Sequence, residues 1–158
     1  MANTYTQLNI HAVFAVRGRE NLLRDDFRGE LFKYIHGVIE GIGLHPLAVN
    51  GYYDHVHVFF ELNNTLSMAK ALQQIKANSA RWINERNLTP KSFKWQKGYS
   101  AFSHSRSQRT RVINYITNQE QHHAYESFKK EYYSILENFE VEYDSRYVFD
   151  FYEDTTGS

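Results

Sequence analysis

Apolar residues alternate loosely along residues 5–16, with Leu8, Ile10, Ala12 and Phe14 on one face, and this period of two predicts a first strand. The basic turn Arg17-Gly18-Arg19 closes it. Asp25 and Asp26 then open a helix towards Gly41, because Phe27, Leu31, Tyr34, Ile35 and Val38 fall on one stripe. Residues 44–53 form a second predicted strand and 55–62 a third, and the short connection at Asp54 predicts an antiparallel hairpin. Asn63-Asn64-Thr65 reads as a turn, after which Ser67 can cap a helix to about Glu85 that turns Leu72, Ile75 and Trp82 inward. Residues 87–94 are polar and contain Pro90, which predicts a loop. Residues 95–103 supply the last strand or strand pair, Ser105 or Ser107 caps a helix over about 108–121, and a shorter helical segment covers about 125–138.

The order β-α-β-β-α-β followed by further helices predicts an α+β chain of ferredoxin-like (RRM-like) architecture, an antiparallel sheet with helices packed on it. At 158 residues and 42% hydrophobic content, the chain reads as a single domain over residues 1–158. Residues 139–158 form an acidic, aromatic C-terminal extension of that domain, expected to pack on the body or on a partner. Aromatic residues make up 16% of the chain, so much of the core is expected to be aromatic. The absence of cysteine excludes disulfides and thiolate metal sites, and suits a reducing cytosol. The first residues lack the basic and apolar blocks of a signal peptide, and no apolar run is long enough to span a bilayer, so a cytoplasmic location is expected.

Net charge is zero, but its distribution is uneven. Residues 1–115 carry 15 Lys and Arg against 8 Asp and Glu, whereas residues 116–158 carry 3 against 10. This is either an ordinary domain with a solvated acidic end or a phosphate-binding body whose tail lies away from nucleic acid.

Two stretches carry candidate chemistry. On the third strand, His55 and His57 are two apart and share a face with Phe59 and Glu61, while Val56, Val58, Phe60 and Leu62 share the other. Two imidazoles side by side on a rigid strand can hold one divalent ion; they can equally be half-buried rings bonded to backbone. Asp54 suits the turn or the orientation of an imidazole better than a ligand role. In the helix over 108–121, Tyr115 and Gln119 are four apart and lie one above the other, with Val112, Ile113 and Ile116 as apolar contacts. This is either a packed amphipathic helix or a nucleophile with a metal-ligating amide beside it. A phenol with a pKa of about 10 attacks a phosphodiester only with a cation near the phosphate and its own oxygen. Two imidazoles, one amide oxygen and open positions suit Mg²⁺ or Mn²⁺.

Taken together and in order, several segments carry a resemblance. They are His11-Ala12-Val13-Phe14 with Arg19, Asn50-Gly51-Tyr52-Tyr53-Asp54-His55-Val56-His57, Ile75-Lys76 with Ser79-Ala80-Arg81-Trp82, Trp95 to Ser103, and Tyr115-Ile116 with Asn118-Gln119 and His122-His123. The chain resembles the HUH single-tyrosine transposases of small insertion sequences mobilised as single-stranded DNA, together with the related REP-associated tyrosine transposases. The resemblance implies that His55, His57 and Gln119 hold a divalent metal, Mg²⁺ or Mn²⁺. It implies that Tyr115 forms a 5′-phosphotyrosine intermediate. It also implies a homodimer that recognises hairpin ends in single-stranded DNA, with possible exchange of the tyrosine helix between subunits; from the lack of a long apolar run, no membrane partner is expected. Arg17, Arg19, Lys76, Arg81, Lys97, Arg106 and Arg109 are candidate phosphate contacts. Trp95 or Tyr99 could stack a base, although core packing suits either better. His122 and His123 could assist the metal or the leaving group, although a solvent-facing place at the helix end suits them better. Two other readings compete: a hairpin-binding repressor without catalysis, and a phosphodiesterase in which Tyr115 only packs.

Overall fold

A four-stranded antiparallel sheet is built from β1 (Leu8–Ala15), β2 (His45–Gly51), β3 (His55–Leu62) and β4 (Ser100–His104), in the spatial order β2-β3-β1-β4. This is the ferredoxin-like order, seen here in a computed structural model that describes residues 6–123 and 127–138. The predicted extension over 139–158 lies outside the described residues.

Alternation along the two central strands sorts the sheet into two faces. Ile10, Ala12 and Phe14 of β1 and Val56, Val58, Phe60 and Leu62 of β3 point into the main core. There they meet Leu31 and Ile35 of α1 (Arg28–Gly41) and Leu72, Ile75 and Ile83 of α2 (Met68–Glu85). Phe14 and Phe60 are fully buried, each stabilising the fold by roughly 1.5–3 kcal/mol through removal of apolar surface from water. Ser67 caps α2 by accepting the Lys70 amide at 3.1 Å. Trp95 is a core residue, stacked edge-on against Phe14 with its indole N–H donated to Ser79 Oγ at 3.0 Å.

The last predicted strand is shorter than the pattern of apolar residues suggested. Trp95 bridges Val16, but the ladder with β1 resumes only at Ser100. Between them Gly98 takes a left-handed backbone (φ 86°), and Lys76 Nζ donates to the carbonyls of Gln96 and Gly98 at 2.8 Å each. Those carbonyls are satisfied by a helix side chain instead of a strand.

The opposite face of the sheet presents Asn9, His11, Val13 and Ala15 of β1 beside His55, His57, Phe59 and Glu61 of β3, in the register Val13 to His57 and Ala15 to His55. Two small apolar clusters cover it. Ala48 and Phe59 pack under Val112 and Ile116 of α3 (Arg109–Thr117), while Val13, Ala15 and Phe102 pack under Phe128, Tyr132 and Ile135 of α5 (Phe128–Asn138). The face that carries the chemistry is thus roofed by the C-terminal helices, with α4 (Gln119–His123) between them in sequence.

Candidate active site

Both histidines of the β3 pair are fully buried, and a different group holds the Nδ1 side of each. His55 Nδ1 donates to Asp54 Oδ1 at 2.8 Å, and the other Asp54 oxygen lies 3.2 Å from Arg19 Nε. Asp54 therefore stands behind the imidazole, and its own carbonyl closes the strand end by accepting the Val16 amide. Arg19 reaches this position from a left-handed backbone (φ 55°) following Gly18 (φ 65°) and is itself buried. His57 Nδ1 lies 2.8 Å from His11 Nε2 on the neighbouring strand. With these contacts made, the two Nε2 atoms point under α5.

The residue that meets them there is Glu131. Its Oε1 lies 3.0 Å from His57 Nε2 and 3.4 Å from His55 Nε2, and its Oε2 lies 3.2 Å from His123 Nε2. On α5 Glu131 shares the apolar stripe of Phe128 and Ile135, three and four residues away, and this stripe faces the sheet. Phe128 stacks flat on His55, with ring centroids 3.9 Å apart and planes 3° apart. Tyr132 bonds to Ser100 Oγ of β4. Ser127 begins the helix, its hydroxyl accepting the Lys130 amide at 3.2 Å. Glu131 does not stand out in the sequence; its one mark along the chain is a carboxylate set within the apolar stripe of Phe128, Tyr132 and Ile135, since a buried acid needs partners.

The predicted single helix over 108–121 is broken. A 3₁₀ turn at Arg106–Gln108 leads into α3, which stops at Asn118 (φ −96°, ψ 23°) before α4 begins. Asn50 of β2 is the physical reason: its Nδ2 donates to the carbonyls of Ile116 at 2.9 Å and Thr117 at 3.1 Å, satisfying them as the helix ends. Tyr115 and Gln119 consequently lie on different helices. Both still reach the site. Gln119 is buried, its Oε1 accepting from His55 Nε2 at 3.2 Å and from His123 Nε2 at 3.0 Å, with its amide nitrogen 3.4 Å from Glu131 Oε2. The Tyr115 ring lies edge-on to His57, 5.9 Å between centroids, in the same chain. His123, expected to face solvent, turns its ring inward instead: the side chain is 2% exposed and stacks on Tyr52. The side chain of His122 lies outside the described residues.

Burial opposes a charge on each of these rings, and their partners decide the balance. For His55 the penalty of burial is outweighed by hydrogen bonds and charges from Asp54 and Glu131, which raise its pKa to about 9. For His57 burial wins over the Glu131 carboxylate and the pKa falls. His11 is held well below the usual range by burial, reinforced by His57 and His104.

His55, His57 and Glu131 present one ligand atom each within 4.8 Å of one another. Two imidazoles and a carboxylate fit a first-row divalent ion such as Mn²⁺ better than Mg²⁺, which favours oxygen ligands.

The seven candidate phosphate contacts divide. Arg17, Arg81, Lys97 and Arg106 are exposed, with Arg81 bonded to Asn78 at 2.6 Å. Arg19 is buried against Asp54, so it serves the histidine and is withdrawn from any surface contact. Lys76 is spent on the Gln96 and Gly98 carbonyls. Arg109 pairs with Glu61 at 3.0 Å and donates to Asn9 at 2.9 Å. Among the described residues no helix is long and apolar enough to cross a membrane.

Among solved structures, the chain is similar to a protein of Deinococcus radiodurans R1 taken to be a transposase, at 21% identity and a TM-score of 0.60 over 75% of this chain and 95% of that one. It is also similar to a REP-associated tyrosine transposase solved with a REP hairpin bound, at 15% identity and a TM-score of 0.58 over 80% of this chain and 74% of that one. At these identities the likeness is one of fold. No curated protein matches the chain significantly. The family model described as "Transposase IS200 like" matches residues 4–119, which run from the N-terminal edge of the sheet to Gln119 and stop short of α5. The chain therefore belongs to the IS200-like transposase family.

Proposed function

We propose that this chain is a metal-dependent transposase that cleaves and rejoins single-stranded DNA through Tyr115, with His55, His57 and Glu131 holding the ion and Gln119 beside them. The observation that carries this reading is the Tyr115 ring, 5.9 Å between centroids from His57, whose Nε2 lies in a group with His55 and Glu131 that could hold a metal. When bound, a divalent ion supplies polarisation of a phosphate oxygen and a counter-charge for the transition state. The Tyr115 oxygen loses its proton as it attacks phosphorus, and the bond from phosphorus to the 3′-oxygen breaks. A 5′-phosphotyrosine and a protonated 3′-hydroxyl result. Attack by a 3′-hydroxyl on that ester reverses the step and frees Tyr115, so rejoining needs no ATP.

The hairpin bound to the similar tyrosine transposase supports hairpin-ended single-stranded DNA as the substrate here. Exposed Arg17, Lys97 and Arg106 are the phosphate contacts we favour. A homodimer is part of the reading, with Tyr115 supplied by the same chain, where α3 packs on Ala48 and Phe59, or by exchange of that helix between subunits. Since His55, His57, Gln119 and Glu131 are all buried, α5 must shift for a phosphodiester to arrive.

The test is incubation with single-stranded DNA carrying the hairpin and flank of its own locus, in Mn²⁺ or Mg²⁺. A covalent protein–DNA band that disappears in Tyr115→Phe supports the proposal. Cleavage that survives Tyr115→Phe would eliminate the tyrosine mechanism, and hairpin binding without cleavage would leave the repressor. Mixing Tyr115→Phe with His57→Ala tests the helix arrangement: restored activity requires exchange between subunits.

A further inference from the structure

Three successive carbonyls at the end of α3 are met by side chains, where a continuing helix would meet them with its own backbone. The C-terminal cap, Asn118, donates its amide to the Asn114 carbonyl at 3.2 Å. Beyond it, the Tyr115 carbonyl lies 3.5 Å from the Gln119 side-chain nitrogen, and the carbonyls of Ile116 and Thr117 accept from Asn50 Nδ2 at 2.9 and 3.1 Å. In an unbroken helix these last two would take the backbone amides of residues 120 and 121. Asn50 thus stands in for the next turn of helix, and Asn118 leaves helical geometry at φ −96°, ψ 23°.

The place of Asn50 in the sheet lets it decide where the tyrosine lies. It is on β2, two residues from Ala48 and so on the same face, the one that α3 covers. In the ladder it stands opposite His57. The apolar contacts of Val112 and Ile116 with Ala48 and Phe59 hold α3 on the sheet, but such contacts are non-directional. Hydrogen bonds are directional, and only the NH₂ end of an asparagine can face two carbonyls. The two from Asn50 fasten the residue directly after Tyr115, whose ring is 5.9 Å between centroids from His57. Once the helix has ended, the direction of Gln119 is no longer tied to that of Tyr115, and its Oε1 reaches His55 Nε2 at 3.2 Å.

We propose that Asn50 is the positioning residue for Tyr115: by ending α3 at Thr117, its amide fixes the tyrosine beside His57 and leaves Gln119 to turn into the site from a separate helix. The proposal rests on the reading of Tyr115 as the nucleophile. It does not depend on which subunit supplies that helix, because Asn50 is carried by the sheet that carries His57 and would receive the end of either chain's α3. A displacement of about 1 Å at a reacting group can cost on the order of 100-fold in rate. An anchor that lies outside the chemistry therefore acts strongly on the chemical step and little on DNA binding.

The experiment compares wild type with Asn50→Ala and with Asn50→Asp, which keeps the shape but only accepts and so sets a carboxylate oxygen against two carbonyls. Single-turnover formation of the covalent protein–DNA band is followed in Mn²⁺ at saturating hairpin DNA, and DNA affinity is measured separately by fluorescence anisotropy. We expect adduct formation to slow by about 10- to 100-fold in both variants, with DNA affinity unchanged. In ¹³C,¹⁵N-labelled protein, Asn118 should show non-helical Cα shifts in wild type and helical ones in Asn50→Ala, where α3 and α4 join. A variant that forms the adduct at the wild-type rate overturns the proposal. So does a loss confined to DNA affinity, or an Asn118 shift that ignores the substitution. If neither variant folds, wild type decides: the Asn50 side-chain amide must exchange slowly with solvent, and exchange as fast as that of an exposed asparagine overturns the anchor. Wild type that forms no covalent adduct overturns the tyrosine reading itself, a failure seen before any variant is compared.

Discussion

Replacing Glu131 by glutamine keeps the side chain's shape and removes its charge. The carboxylate is 1% exposed and lies 3.0 Å from His57 Nε2, 3.2 Å from His123 Nε2 and 3.4 Å from His55 Nε2. With a pKa of about 9, His55 is cationic at neutral pH, so the substitution breaks a buried ion pair. Such a loss costs about 3–5 kcal/mol, and because Asp54 remains as a second partner for His55 we expect the lower end, about 3 kcal/mol. For a chain of this size that lowers Tm by roughly 6–12 °C. The effect on the ion should also be large. Losing even an outer partner of a metal site costs about tenfold or more in affinity, and a ligand that also supplies negative charge should exceed that. The assays are calorimetric melting in EDTA and Mn²⁺ titration by EPR, with Gln119→Ala alongside. The neutral Gln119 should weaken Mn²⁺ binding less than Glu131→Gln does. A Glu131→Gln protein that melts within a degree or two of wild type and binds Mn²⁺ within twofold would refute the ligand role of α5. A larger loss in Gln119→Ala would return the third position to Gln119.

Two further predictions concern the same face. The raised pKa of His55 (about 9, against about 6.5 unfolded) contributes about 3 kcal/mol that is complete below pH 6.5 and lost as pH rises through 9. The lowered values of His57 and His11 act in the other direction, costing stability as pH falls below 6.5. Urea midpoints in EDTA should therefore peak near pH 6.5, and a flat profile from there to pH 9 would contradict the assigned partners of His55. Gly51→Ala should be poorly tolerated, because a Cβ there would lie 2.3 Å from the His55 carbonyl oxygen and 3.0 Å from Val56 Cα. We expect destabilisation of at least about 2 kcal/mol in urea unfolding, with weaker Mn²⁺ binding because the strand bearing His55 must shift; an unchanged midpoint would show that the hairpin gives way elsewhere.

Much of this arrangement was legible along the chain because its causes are local. The period of two in β3 placed His55 and His57 on one face and Val56, Val58, Phe60 and Leu62 on the other before any fold was known. Ser67 announced α2, and the element order implied the sheet. Each of these follows from residues within a turn or two of one another.

What the chain alone did not reveal depends on groups far apart in sequence. Asn50 ends α3 by reaching across 66 residues to Ile116, so the helix predicted as continuous divides, and His123 turns inward. Arg19 read as a surface cation until the fold brought Asp54 against it. Glu131 lies 74 residues from His57 and outside the segment that the family model matches, on a helix whose position is set by packing of Phe128, Tyr132 and Ile135 on β1 and β4. Local pattern determines which face a side chain occupies. Only the packing of helices on the sheet decides which buried group from another element comes to balance its charge.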